Sequence, residues 1–104
     1  MAKFLFVYHG GSAPDTEEGK AEAMNAWGEW FGSMGGDVID GGNPVGPSTT
    51  VTPSGETIGD GGANPASGYS LIEASDLEDA IAKARRCPLL ASGGSVEVAQ
   101  AFDM

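Results

Sequence analysis

The stretch Phe4-Leu5-Phe6-Val7-Tyr8-His9 decides the fold. Its β-branched and aromatic residues read as a strand, and the run ends at Gly10-Gly11-Ser12. Alternation sends Phe4, Phe6 and Tyr8 to one face and Leu5, Val7 and His9 to the other. A strand that is apolar on both sides needs cover on both sides. Helices supply one cover, and a second copy of the chain would supply the other.

Working outward, Asp15-Thr16-Glu17-Glu18 is a helix start, with acids where the macrodipole favours them. Met24, Trp27, Phe31 and Met34 form the expected buried stripe of that helix, with Trp30 on its flank, and Gly35-Gly36 closes it. A short second strand follows at 37–40. Residues 48–52 and 56–58 then read as a hairpin around Pro53-Ser54-Gly55. Most glycines and prolines lie between residues 32 and 68, a loop-rich section that ends in a polar loop over 59–67. The tract 69–74 reads as a central strand, and Ser75-Asp76-Leu77-Glu78 as a capping box. In the second helix Leu77, Ala80, Ile81 and Ala84 form the expected inner stripe. Lys83, Arg85 and Arg86 suit its C-terminal end, Pro88 stops it, and 95–100 alternates as a closing strand.

Strand, helix, strand, inserted hairpin, strand, helix, strand is the α+β split β-α-β order of a ferredoxin-like domain, with two helices on one face of an antiparallel sheet. The chain of 104 residues fits a single domain over 1–104. At this size, burying a face against a second copy adds stability, so a homodimer is expected.

Fifteen acidic against five basic residues give a formal net charge of −10. The basic residues, Lys3, Lys20, Lys83, Arg85 and Arg86, form one local cluster at a helix end, which argues against a nucleic-acid partner. The apolar run at the N-terminus is too short for a signal-peptide core or a membrane span. With the single cysteine, Cys87, it points to a cytoplasmic protein without a membrane partner. One histidine and one cysteine cannot complete a closed zinc site, the acids lack calcium-loop spacing, and the glycines at 59–62 lack a following Gly-Lys-Ser/Thr. No metal and no cofactor are therefore expected.

His9 is the sole histidine, at the mouth of the sheet. With a reference pKa near 6.5 it suits acid/base work, and it equally suits satisfying loop backbone groups. Asp40 is the carboxylate expected to orient it if the first two strands lie close together, or else an acid shaping the turn into Gly41-Gly42. Tyr8, Asn25, Trp30 and Tyr69 are the candidate ligand-binding residues, Trp30 because it flanks the stripe and the tyrosines because their hydroxyls would enter a cavity between sheets. Trp27 is expected in the core. Cys87 lacks the helix N-terminal field that activates a thiol and reads as structural.

The tracts Gly68-Tyr69-Ser70-Leu71-Ile72-Glu73-Ala74, Ala80-Ile81 through Ala84-Arg85-Arg86-Cys87-Pro88, and Gly94-Ser95-Val96-Glu97-Val98, taken with the first strand, resemble the YCII-related family in its DGPF-domain branch. The resemblance covers nearly the whole chain and implies a ferredoxin-like fold assembled as a dimeric α+β barrel. The branch's naming signature survives only as Asp60-Gly61, followed by Gly62-Ala63. Many members pair an acid at the end of the first strand with a histidine on the first helix. This chain has Tyr8-His9-Gly10 and Asn25-Ala26-Trp27 there, so the resemblance transfers no catalytic residue. Three readings of function remain open. The chain binds a small organic molecule near the end of the first strand, or is an enzyme using His9 as general acid or base, with Asp40 or Asn25 as orienting partner, on a small cyclic or carbonyl substrate, or is a protein-binding accessory domain.

Overall fold

In the computed structural model, which describes residues 1–12, 14–59, 62 and 64–103, the opening stretch forms strand β1, Ala2–His9. Helix α1, Glu17–Met34, leads to the short strand β2, Val38–Asp40, and then to a separate hairpin of β3, Thr49–Val51, and β4, Thr57–Gly59. Strand β5, Ala66–Ala74, precedes helix α2, Leu77–Ala84, and β6, Ser95–Ala101, closes the chain. The main sheet is antiparallel, in the order β2-β5-β1-β6. The remnant Asp60-Gly61 and Ala63 lie outside the described residues.

Alternation along β1 builds the core. Phe4 and Phe6 are fully buried and Tyr8 nearly so, against Ser70, Ile72 and Ala74 of β5 and the inner sides of both helices. On the opposite face Leu5 pairs with Leu71 and Ala99, and Val7 with Tyr69 and Glu97. No element of the described residues covers the centre of that face, and Leu5 is 37 % exposed there.

Helix α1 starts where the acids placed it. The Thr16 hydroxyl accepts the Gly19 N–H at 3.0 Å, and Gly35, at φ 55°, ends the helix by donating its N–H to the Phe31 carbonyl. Its rotation differs from the expected stripe. Met24 is 76 % exposed, whereas Trp30 is 5 % exposed and sits at the centre of the buried face with Met34. The indole N–H of Trp30 donates to the Lys83 carbonyl of α2 at 3.0 Å, a partner that a buried indole needs. Trp30 thus belongs to the core, and Trp27, half-buried, stands at its margin.

The cap of α2 is shifted by one residue. Asp76, not Ser75, is the N-cap, accepting the Asp79 N–H at 2.8 Å, and Asp79 rather than Glu78 reaches back to the Ser75 N–H. Ala80 and Ala84 are buried as expected, while Leu77 is exposed. Lys83 binds Asp79 at 2.8 Å and Asp37 at 3.4 Å, fastening α2 to the turn that follows α1.

Candidate functional site

Two features stand near the C-terminal end of β1, one on each face of the sheet. On the helix face is a cavity of about 390 Å³. Tyr8, Trp27, Phe31 and Leu89 give it an apolar wall, and the turn over 41–44 and residues 67–69 form the rest. The rings of Tyr8 and Trp27 meet edge to face at 5.2 Å, and Trp27 and Phe31 lie 5.9 Å apart. Backbone bonds hold the turn against β5: Tyr69 N–H donates to the Asn43 carbonyl at 3.3 Å and Val45 N–H to the Ser67 carbonyl at 3.0 Å. Gly42 has φ 73°, and a Cβ there would collide with the Tyr69 carbonyl oxygen, so only glycine lets the turn lie this close.

Behind that wall runs a buried relay. The Tyr8 hydroxyl donates to Ser70 Oγ at 2.6 Å, and the Ser70 hydroxyl donates to the Gly41 carbonyl at 2.6 Å. Burial pushes the Tyr8 pKa up to about 12, so the phenol stays neutral. Ser70 is a residue that sequence reasoning misses. Its signal is nevertheless there: a serine at an inward position between Gly68 and Ile72 must find a partner.

A wider, more open groove of about 980 Å³ runs between α1 and the 3-10 turn Pro88–Ser92. Trp27 and Leu89 divide it from the cavity. Glu22, Glu29 and Arg86 stand along it.

On the opposite face lies His9, 8 % exposed, at an irregularity where β1 and β5 shift register between Tyr8 and His9. Its Nδ1 lies 3.2 Å from the Pro65 carbonyl oxygen and its Nε2 lies 2.8 Å from Glu97 Oε1. Both neighbours are acceptors, so both bonds form only when the ring carries two protons. The hydrogen bond to Glu97 accordingly raises the His9 pKa above its ordinary value, with the Pro65 carbonyl adding to the effect and burial opposing it.

That bond has a pH signature. A folded pKa above the unfolded value of about 6.5 makes the contribution complete below that pH, and it is lost as pH rises through the folded pKa. The stability advantage of wild type over His9→Gln is therefore expected to shrink as pH rises above the ordinary histidine value and through the raised folded one in urea titrations. The chain has one histidine, so its ring resonance in an NMR titration reads the pKa directly. A midpoint at or below the ordinary value would rule the bond out, and Glu97→Gln should bring the midpoint down.

The structure separates other residues that the sequence grouped. Asp40 does not reach His9, because β5 lies between β2 and β1. The carboxylate of Asp40 instead accepts the Gly42 N–H at 2.8 Å and shapes the turn, and Glu97 of β6 is the acid beside His9. Asn25 is exposed on α1 and lines neither hollow. Tyr8 and Tyr69 do not present hydroxyls to one space between sheets, since alternation puts their side chains on opposite faces. The Tyr69 hydroxyl accepts from Asn43 Nδ2 at 3.3 Å. Cys87 is buried, which pushes its thiol up to about 11. Among the described residues no three His, Cys, Asp or Glu side chains gather as a metal site, and no helix is long and apolar enough to cross a membrane.

Fold and site together define a small α+β domain with an antiparallel sheet, two helices on one face and an aromatic-walled cavity beneath the first helix. No protein-family model, curated protein sequence or solved structure matches the chain.

Proposed function

We propose that this chain is a ferredoxin-like, YCII-related domain of the DGPF branch that works as a homodimer and binds a small organic molecule in the cavity beside Tyr8. The cavity carries this reading. Its volume, about 390 Å³, lies within the range of roughly 300–1,000 Å³ that small-molecule sites occupy, and apolar rings with a few fixed polar groups are the usual lining. The strand order and the tracts quoted above support the family, and the apolar open face around Leu5, Val7 and Leu71 supports the dimer. The single buried thiol and the scarcity of basic residues fit a cytoplasmic protein that does not bind nucleic acid.

Thermal melts against a metabolite library test the binding, because a ligand raises the melting temperature by mass action. Hits should keep their shift in Met24→Ala, which alters the exposed side of α1, and lose it in Phe31→Ala, which removes part of the wall. Hits that shift both variants equally would place the ligand elsewhere. For the dimer, sedimentation equilibrium at micromolar concentration should give twice the chain mass for wild type and the single-chain mass for Leu5→Glu. A wild-type monomer would end that part of the reading.

An enzyme using His9 as acid or base is the second reading, favoured by the carboxylate 2.8 Å from Nε2. Against it, both ring nitrogens are already engaged, so a substrate would have to displace Glu97 or Pro65.

A further inference from the structure

Resting on the cavity as the binding site, we infer that its ligand class is uncharged, flat, two-ring organic molecules. Size comes first. An apolar cavity of about 150 Å³ holds a benzene ring, so about 390 Å³ leaves room for a fused pair of rings.

Shape follows from the wall. Tyr8, Trp27 and Phe31 present three aromatic side chains, and Trp27 packs on both of the others, so the wall is a continuous aromatic surface. Such rings favour offset or edge-on contact with another ring. Leu89 and Pro44 add apolar surface.

Charge is decided by what a bound ion would meet. The residues described around the cavity include no Asp, Glu, Lys, Arg or His. A charged group moved from water to such a wall loses hydration and gains no counter-ion, a cost that cation–π contact offsets only in part. An anion is further opposed by the net charge of −10. Tyr8 stays a neutral phenol whose O–H is committed to the buried Ser70, so it brings no charge to the wall.

An isosteric series separates these terms: 2-naphthol, 2-naphthoate and 2-naphthylmethylammonium, titrated into wild type near neutral pH and followed by the two indole N–H resonances. Trp27 borders both the cavity and the groove, whereas Trp30 borders only the groove and its N–H is held by the Lys83 carbonyl. Naphthol should move the Trp27 resonance, leave that of Trp30 in place, and bind at least tenfold more tightly than either ion. Comparable or tighter binding of an ion, with the same Trp27 response, would overturn the charge class while leaving the site intact. Movement of Trp30 together with Trp27 would transfer binding to the neighbouring groove, which both indoles line, and no response to any of the three would remove the site itself. Phe31→Ala should weaken naphthol binding at least tenfold. If that variant does not fold, the wild-type resonances still decide the outcome.

Discussion

Trp30→Ala is expected to lower the unfolding free energy by about 3–5 kcal/mol, the range for deleting a large buried aromatic side chain. Trp30 is 5 % exposed, its ring stacks 6.2 Å from Phe6 and lies 5.0 Å from Phe31, and its N–H is the bond that ties α1 to α2. Alanine would leave a void between the helices and an unpaired Lys83 carbonyl. Set against a typical total of about 5–15 kcal/mol for a domain, the loss brings the variant close to unfolding at ambient temperature. Trp27→Ala, at the margin of the core, should cost markedly less. Urea denaturation of the two variants checks the order, and equal losses would mean that the helix is rotated as the bare stripe suggested.

Removing the hydroxyl of Ser70 is the second large effect, at about 1–3 kcal/mol, because a buried partner left unsatisfied costs more than an ordinary hydrogen bond contributes. Ser70 is fully buried and stands between the Tyr8 hydroxyl and the Gly41 carbonyl, so Ser70→Ala strands both. Tyr8→Phe removes only the outer donor and leaves the Ser70 to Gly41 bond in place. The double variant should therefore cost less than the sum of the two, since a phenyl ring without its hydroxyl asks nothing of position 70. Strict additivity in the cycle would show that the two hydroxyls do not interact.

Much of this architecture was legible because it follows local rules. The apolar runs within 4–9 and 69–74 located the central strands, and the acid-rich start and glycine end bounded the first helix closely. The hairpin arms lie where the turn residues placed them. The rotation of α1 was not legible, because Met24, Trp27, Trp30, Phe31 and Met34 give more apolar surface than one stripe can hold. The choice among them depends on a carbonyl of α2, distant in sequence.

The same limit governs the site residues. His9 and Glu97 are 88 positions apart and meet only because β6 flanks β1, whereas Asp40, nearer in sequence, is held off by the strand inserted between them. Strand adjacency is a property of the whole topology, and no spacing rule within the chain reveals it. The one-residue shift of the α2 cap has a smaller cause: Ser75 and Asp76 are both good caps, and side-chain chemistry alone does not choose between them.

The hairpin of β3 and β4 forms its own two-stranded sheet, with every residue of both strands exposed. The packed interior therefore places few demands on what joins the turn over 41–44 to the start of β5. Lengthening, shortening or exchanging that arm leaves the central layers untouched, so it is the natural place for a sequence of this architecture to acquire new specificity, or for a designer to graft an epitope or a tag.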